Sequence, residues 1–392
     1  MVIVDECHHV SSVSFEQVLK QVNAHYVYGL TATPIRKDGH QPIIFMQCGK
    51  IRYTADAKSQ MDRQSFVRTL IPRFTSFRNV SPDTKTYTQT IEALSTDKMR
   101  NNLIIEDVKT VIEEGRTPII LTNLTSHVRI LTELLQPHAM HVVSLVGADS
   151  AKEKNMAMEK LDKIADSDSL VIIATGKYIG EGFDYPRLDT LFLALPISWK
   201  GNIAQYAGRL HRDYDGKNEV RIYDYVDIRV PLCDSMYRKR LRGYASVGYG
   251  VPKPTGGNNV SKQELIYDGQ AFSEPFRQDL LAAKHSMVIS CQKIKFKYTP
   301  WLLSLLRELM TNGLEVVVCI KEQGYSENEL RENGIEVQCD KNLSVQCAII
   351  DKNTVWYGCI NFFGYNTEEN NVIRIADSYI ANELLDIICG YC

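Results

Sequence analysis

Short apolar runs alternate with amphipathic segments through the middle of the chain. Between the apolar runs lie patterns typical of helices, which begin near Thr96, Val128, Ala151 and Ile203. The apolar runs, each typical of a buried strand, are Pro118–Leu121, His141–Leu145, Leu170–Ala174, Thr190–Leu195 and Arg221–Tyr225. Alternation of helices with continuously apolar strands predicts an α/β fold built on a doubly wound parallel sheet.

The first thirty residues predict only part of a similar sheet. Met1–Val4 and Tyr26–Leu30 are apolar strand patterns, and a helix pattern over Ser14–Val22 separates them. Two parallel strands and one crossover cannot bury both faces of a sheet. We therefore expect a further segment of chain before Met1.

The pattern restarts in the last third of the chain, after a Gly- and Pro-rich stretch at Gly248–Gly257 that has the composition of a linker. Beyond it, helix patterns at Phe276–Ala283 and Trp301–Met310 accompany several strand patterns. These strands are predicted at Met287–Ser290, Glu315–Ile320, Val345–Ile350 and Val355–Tyr357. The sequence thus predicts a second α/β region.

Composition excludes several classes of protein. The chain has 392 residues, 44% of them hydrophobic and 23% charged, which is enough for two or three domains with cores and excludes collagen-like or disordered chains. The formal charge of −2 neither supports nor excludes a nucleic-acid partner. No apolar run approaches the roughly 18 residues of a membrane span, and the first residues lack the features of a signal peptide. We expect a cytoplasmic protein.

Ten cysteines are spread along a chain too large to need disulfides, which favours reduced thiols. Cys389 and Cys392 have C-x-x-C spacing, but no second pair of Cys or His residues lies near them in the sequence. A fortuitous pair is therefore favoured over a metal site.

Two acidic residues follow the first apolar strand directly. Asp5 and Glu6 would lie at the carboxyl edge of a parallel sheet, where ligands bind. In nucleotide hydrolysis one acid at such a place holds Mg²⁺ and its neighbour orients the attacking water. A solvated turn after a strand is the alternative. Zinc binding by the adjacent Cys7, His8 and His9 is disfavoured, because three consecutive residues cannot comfortably face one ion.

Three further motifs follow in order along the chain. The second strand ends in Thr31-Ala32-Thr33, whose hydroxyls suit short hydrogen bonds between two sites. Thr175-Gly176 is followed by the glycine-rich run Gly180–Asp184, which allows the backbone to approach a phosphate or sugar. The segment Gln205–Arg212 then places Arg209 and Arg212 three residues apart, on one face of a predicted helix, where two guanidinium groups can clamp a phosphate. Alone, each motif is also compatible with an ordinary turn or a solvated helix face.

Together, these motifs, in this order and at these spacings, resemble the superfamily 2 helicases of the DEAD/DEAH and type III restriction-like groups. The resemblance covers about residues 1–227 and implies RecA-like parallel sheets, of which the first is incomplete. It implies that Asp5 binds Mg²⁺, that Glu6 activates water, and that ATP and nucleic acid are the ligands, with DNA expected over RNA. It also implies that His8, Thr31 and Thr33 couple ATP to nucleic acid and that Thr175 lies near the nucleic-acid backbone. The implied contacts to the nucleotide come from Gly182, Asp184, Gln205, Arg209 and Arg212.

One motif of that family is missing from the sequence. The family needs a Gly-x-x-x-x-Gly-Lys-Ser/Thr phosphate loop upstream of the acidic motif, and none occurs in these 392 residues. Its backbone N–H groups and lysine hold the phosphates, so we do not expect this chain alone to bind ATP tightly. We expect the chain to be a fragment that lacks an N-terminal RecA-like segment and is by itself inactive.

The last third resembles half of a phospholipase-D-like protein, over about residues 265–375. Catalytic members use His-x-Lys before an Asp, and alignment on Asp351 places Ser344 at the His position and Gln346 at the Lys position. Gly358 and Asn361 fit the signature that follows. Without the His nucleophile, this resemblance implies a degenerate domain that binds nucleic acid or a protein partner.

A basic run without acids, Arg238–Arg242, precedes the linker. Arg238, Lys239 and Arg240 are candidates for phosphate contacts and Tyr237 and Tyr244 for base stacking, with a solvated helix face as the alternative.

The predicted organisation has three folded parts and one linker. The folded parts are a remnant of the first RecA-like domain (1–79), a second RecA-like domain (80–245) and a degenerate phospholipase-D-like domain (263–392), and the linker is residues 246–262. The predicted function is that of an ATP-dependent helicase or translocase. A non-hydrolysing protein that binds nucleic acid or a partner is the alternative.

Overall fold

The computed structural model divides the chain into two compact units, residues 1–64 and 65–392. The residues it describes are 1–5, 7, 17–18, 20–31, 41–54, 66–78, 86–147, 151–180, 183–197, 200–250, 266–292, 294–295, 299–321, 325–341 and 343–389.

The described residues of the first unit include a two-stranded parallel sheet and a helix that packs against it. Strand β1 (Val2–Val4) pairs with β2 (Val27–Gly29), and helix α1 (Gln41–Cys48) packs on β2. Both strands lie within the apolar runs that predicted them. Within the helix predicted over Ser14–Val22, residues 17–18 and 20–21 are helical, and residues 14–16 and 19 lie outside the described residues.

The second unit begins with a six-stranded sheet in which every pair of neighbours is parallel. Its strands are β3 (Val67–Phe74), β4 (Pro118–Thr122), β5 (His141–Leu145), β6 (Leu170–Thr175), β7 (Thr190–Leu193) and β8 (Glu219–Val226). They lie in the order β3-β8-β7-β4-β6-β5. The doubly wound parallel sheet predicted from the sequence is confirmed.

Seven helices in the described residues accompany this sheet. They are α2 (Tyr87–Thr96), α3 (Lys98–Glu113), α4 (Thr125–Leu135), α5 (Ala151–Leu161), α6 (Gly176–Gly180), α7 (Lys200–Leu210) and α8 (Pro231–Ser246). Every residue of β4, β6 and β7 is buried, because α3 and α4 cover one face and α5 and α7 the other. Strands buried on both faces are continuously apolar in sequence, which is why the pattern revealed them.

Strand β3 corrects one predicted domain boundary. Residues 1–79 were expected to belong to the first RecA-like remnant, but Val67–Phe74 pairs along its whole length with β8 in the second unit. Pro72 and two arginines interrupt its apolar run, so the strand escaped prediction. It forms an edge of the sheet, where a proline without an N–H is tolerated.

A second sheet of seven strands occupies the last part of the chain. Its strands are β9 (Ile266–Asp268), β10 (Ser286–Cys291), β11 (Glu315–Ile320), β12 (Glu336–Cys339), β13 (Cys347–Ile350), β14 (Thr354–Gly358) and β15 (Asn371–Ala376), in the order β12-β11-β10-β13-β14-β15-β9. The accompanying helices are α9 (Ser273–Leu281), α10 (Pro300–Thr311), α11 (Tyr325–Glu332) and α12 (Ser378–Cys389). β10, β11 and β12 are parallel to one another, and the other pairings are antiparallel.

The two sheets of the second unit share one continuous apolar core. Tyr237 of α8 stacks on Tyr357 of β14 with ring centroids 5.8 Å apart, and Phe74 of β3 meets Tyr357 edge-on at the same distance. Arg229, just before α8, forms an ion pair of 2.9 Å with Glu383 of α12. The linker predicted over residues 246–262 lies outside the described residues from 251 onward.

In the described part of the chain, every helix is too short or too polar to span a lipid bilayer.

Candidate nucleotide and nucleic-acid site

In the first unit, the acidic motif and the threonine motif end neighbouring strands. The parallel register pairs Val4 with Gly29, so Asp5 and Leu30 follow the two strands at the same carboxyl edge. Leu30 N donates to the carbonyl oxygen of Val4 at 2.8 Å, and Cys7 N donates to that of Leu30 at 2.9 Å. These bonds bring the backbone at Asp5 beside Thr31. Glu6, His8 and Thr33 lie outside the described residues.

In the second unit, small polar groups lie close together at the carboxyl edge of the six-stranded sheet. Thr175 is the last residue of β6, and its hydroxyl accepts a hydrogen bond of 2.8 Å from Gly147 N, beyond the end of β5. The next residue, Gly176, lies against the hydroxyl of Tyr206 on α7, where a Cβ atom would clash. Only a glycine allows this approach between the end of β6 and α7.

Tyr206 and Gly147 also lie at this edge, and neither was predicted from the sequence as a site residue. Tyr206 is 7% exposed, and burial raises the pKa of its hydroxyl. It follows Gln205 directly within the arginine motif, so its position in that motif could have indicated it. Gly147 gave no comparable signal, because its role depends on the pairing of β5 with β6.

The arginine motif is divided between a helix and the turn after it. Arg209 lies in the last turn of α7, but the helix ends at Leu210, so Arg212 does not continue the helical face as predicted. Instead, Arg212 Nε donates to Asp184 Oδ1 at 3.2 Å, and both side chains are about half exposed. Thus the structure joins two predicted nucleotide contacts, Arg212 and Asp184, to each other. Gly182 lies outside the described residues.

Arg209 has a different environment. Its Nε is buried and, among the described residues, donates to no acceptor. A buried guanidinium N–H without an acceptor is costly, which makes it suited to an incoming anion.

Comparison with known proteins finds helicases among the relatives of this chain. The family model of the type III restriction enzyme res subunit matches residues 1–36, which include the acidic and threonine motifs. Two viral relatives each align over 262 residues, or 64% of this chain. One, from Acanthamoeba polyphaga mimivirus, carries the name of an ATP-dependent RNA helicase and is 22% identical; the other, from Invertebrate iridescent virus 6, carries the name of a helicase and is 29% identical. Over this part of its length, the chain is similar to helicases of superfamily 2.

The alignments cover 48% and 56% of these relatives, so the chain spans about half the length of the curated proteins that it matches. Among solved structures, the chain is similar to a fragment of an HsdR subunit of a type I restriction enzyme from Vibrio vulnificus. The alignment covers 57% of this chain and 43% of the HsdR chain. The sequence identity is 18% and the TM-score is 0.43.

The basic run of this helicase-like protein belongs mainly to its interior. Arg240 is 1% exposed; its Nε and Nη2 donate to the carboxylate of Asp224 at 2.8 Å each. Tyr237 and Tyr244 are fully buried. The prediction that these three residues contact nucleic acid is therefore wrong, because α8 turns them towards the sheet.

The other two candidates of the run differ from Arg240. Arg238 Nη2 lies 2.7 Å from the buried carboxylate of Asp234, so its charge is already paired. Lys239 is exposed on α8 and stays a predicted phosphate contact.

The residues of the predicted phospholipase-D-like motif lie at two ends of one strand. Ser344 and Gln346 precede β13 and Asp351 follows it, so about 16 Å of extended chain separates Gln346 from Asp351. The Asp351 carboxylate accepts hydrogen bonds of 2.8 to 3.0 Å from three consecutive backbone N–H groups, at residues 284, 285 and 286. Burial acts to raise the pKa of Asp351, but these donors outweigh it and lower that pKa. Asp351 thus fixes the start of β10.

Asn361 also organises its own loop. Its side-chain oxygen accepts from Phe363 N at 3.2 Å, and its backbone N–H donates to Asn366 Oδ1 at 2.8 Å. The arrangement favours structural roles for both Asp351 and Asn361 in the helicase-like protein.

Proposed function

We propose that the chain contributes to an ATP-dependent helicase or translocase, which couples hydrolysis of Mg·ATP to movement along nucleic acid in the cytoplasm. Asp5 supplies the carboxylate that holds Mg²⁺, and Glu6 orients the attacking water. Carboxylate oxygens suit this hard cation, which neutralises phosphate charge when it is bound. Arg209 and Arg212 stabilise the phosphate, assisted by Asp184 and Gln205.

The unpaired Nε of Arg209 carries this proposal furthest. Its neighbour in the motif, Arg212, already has Asp184 as a partner, whereas Arg209 offers a buried donor that no described residue satisfies. A γ-phosphate oxygen would satisfy that donor. Arginines that act in this way contribute about 10³- to 10⁵-fold to turnover.

The nucleic-acid strand is proposed to pass the carboxyl edge that contains Thr175. Backbone N–H groups and hydroxyls are common contacts to phosphates and sugars, and the Thr175 hydroxyl already lies at this edge beside Gly147 N. Lys239 adds a phosphate contact, and DNA is proposed over RNA. Thr31 couples the strand to the nucleotide with His8 and Thr33, and a protein partner binds through the second sheet.

A second candidate function is binding without hydrolysis. It is supported by one observation, the lack of a phosphate-loop sequence in the 392 residues. In nucleotide-hydrolysing proteins that loop cradles the β- and γ-phosphates.

The test begins with the coding DNA on the 5′ side of the Met1 codon. If an in-frame phosphate loop is found, the extended protein should hydrolyse ATP with stimulation by nucleic acid, whereas the 392-residue chain should not. Arg209→Ala should reduce kcat of the extended protein by at least about 10³-fold, and Glu6→Gln should abolish turnover.

Arg277→Ala is the matched control. Arg277 is an exposed arginine on α9, which accompanies the seven-stranded sheet and contains none of the nucleotide motifs. Its kcat should equal that of the parent. Unchanged turnover in Arg209→Ala would contradict the role of Arg209. Nucleic-acid binding without turnover in any extended form would support the second candidate.

A further inference from the structure

Two cysteine thiols meet in the small core of the first unit. Cys7 is 4% exposed, and Cys48, the last residue of α1, is partly buried beside it. The two thiols are within hydrogen-bonding distance of each other. Val4 and Ile44 are buried in the same cluster.

Gly29 is the reason that the two sulfur atoms can lie so close together. A Cβ atom on Gly29 would stand 2.8 Å from Sγ of Cys7 and 3.0 Å from Sγ of Cys48. Both sulfur atoms therefore converge over the Cα of one glycine in β2. A disulfide requires them to approach to about 2.05 Å, and the missing side chain leaves space for that movement.

We propose that Cys7 and Cys48 form a reversible intramolecular disulfide when the protein meets a disulfide oxidant such as glutathione disulfide. The Cys48 thiolate attacks one sulfur of the oxidant, forming a mixed disulfide and releasing one glutathione thiolate. The Cys7 thiol then loses its proton and attacks the Cys48 sulfur, releasing the second glutathione. Two thiols are thus oxidised and one glutathione disulfide is reduced to two glutathione molecules.

The exposure of the two residues sets this order of attack. Cys48 is accessible enough to meet a tripeptide oxidant, whereas Cys7 is buried and positioned to resolve the mixed disulfide. Burial raises the pKa of Cys48, so less of its thiol is ionised at neutral pH than in an exposed cysteine, and oxidation should be faster at alkaline pH.

The cross-link would fix α1 to the edge of the sheet that contains the acidic motif. Cys7 lies two residues after Asp5, and its backbone N–H is bonded to Leu30. Oxidation therefore joins the end of α1 covalently to the segment that follows Asp5. The proposal does not depend on the proposed helicase function, because it concerns thiol chemistry alone.

The test is peptide mapping of the intact 392-residue protein after incubation with glutathione disulfide. Tryptic cleavage places Cys7 in residues 1–20 and Cys48 in residues 38–50. Without reduction, these two peptides should appear joined, two hydrogen atoms lighter than their sum, and dithiothreitol should separate them. The exposed Cys339, in residues 332–341, reports that the oxidant has reacted.

Two single variants identify the order of the steps. Cys7→Ser should leave a stable glutathione adduct on Cys48, since nothing resolves it, and Cys48→Ser should leave Cys7 unmodified. Both variants should lose the joined peptides. The proposal is overturned if wild-type protein keeps the adduct on Cys48, if Cys339 is modified while neither Cys7 nor Cys48 reacts, or if the joined peptides come only from a disulfide between two chains.

Discussion

Individual charged residues in the second unit are held by specific partners, and Arg240 is the clearest case. Besides its two bonds to Asp224, its Nη1 donates to the carbonyl oxygen of Ile197 at 2.7 Å, and the Tyr244 hydroxyl donates to Asp224 at 2.6 Å. Arg240→Ala leaves the Asp224 charge buried without its cation. It should lower the free energy of unfolding by about 3–5 kcal/mol, measured by urea denaturation.

The adjacent Lys239 provides a matched control for Arg240. Because Lys239 is exposed, Lys239→Ala should change stability by no more than about 0.5 kcal/mol. If it contacts a phosphate, the variant should bind DNA more weakly at low salt and reduce the slope of log affinity against log salt by about 1. Equal losses of stability in both variants would contradict the different environments assigned to them.

His127 gives the fold a dependence on pH. Its ring nitrogens lie 3.0 Å from Thr122 Oγ1 and from Asn101 Oδ1, and burial, followed by the charge of Arg100, lowers its pKa to about 3. The unfolded chain binds this proton near pH 6.5, so between pH 6.5 and 3 acid favours unfolding. Because of His127, the free energy of unfolding should therefore fall by about 1.4 kcal/mol for each unit by which the pH is lowered across that window.

This cost can be measured by denaturation at pH 7, 6 and 5. His127→Gln should show a shallower loss of stability on acidification than the parent, whereas the exposed His138→Gln should retain the parent's slope. Identical slopes in all three proteins would show that His127 is not held neutral by burial.

At the scale of elements, helix α3 depends on the residue before it. Asp97 is its N-cap, and the side chain accepts a hydrogen bond of 2.8 Å from Arg100 N. Because α3 begins here, the Arg100 guanidinium is buried next to Asp227, and its Nε donates to Asp227 Oδ1 at 3.0 Å. Asp97→Ala should cost about 1 kcal/mol of stability, and Lys98→Ala, one residue on, should cost no more than a few tenths. Equal effects in thermal denaturation would contradict the capping role.

At the scale of the whole second unit, the two sheets should unfold together. Their shared core includes Phe74 and Tyr237 from the first sheet region and Tyr357 from the second. Separating the sheets would expose these rings and leave Asp234, which accepts a hydrogen bond from the Tyr357 hydroxyl, without that donor. Tyr357→Ala should therefore destabilise both sheets, by about 3–5 kcal/mol if the cavity does not collapse.

Hydrogen exchange measured across a denaturant series tests this coupling. The amides of Ile172 in β6 and Ile349 in β13 should lose protection at the same denaturant concentration, and Tyr357→Ala should shift both equally. A shift confined to Ile349 would mean that the sheets are independent. Ser304→Ala, on the exposed side of α10, is a control that should shift neither.

The class of fold and the resemblance to helicases could both be predicted from the sequence. Strands such as β4 and β6 are buried on both faces, so their apolar runs were visible without any knowledge of their partners. The helicase-like motifs were equally visible, because each is a short run of residues with a fixed order and spacing along the chain.

Which residues are available to a ligand depends on how the chain is folded, and the sequence did not show it. Arg240 and Lys239 are neighbours in one basic run, yet α8 buries the first and exposes the second, a difference set by the direction of the helix against the sheet. The place of β3 also depended on a distant partner, since Thr69 pairs with Arg221 about 150 residues later. Local patterns of apolar and polar residues do not indicate such contacts, because strand pairing and burial involve segments that meet only when the chain is folded.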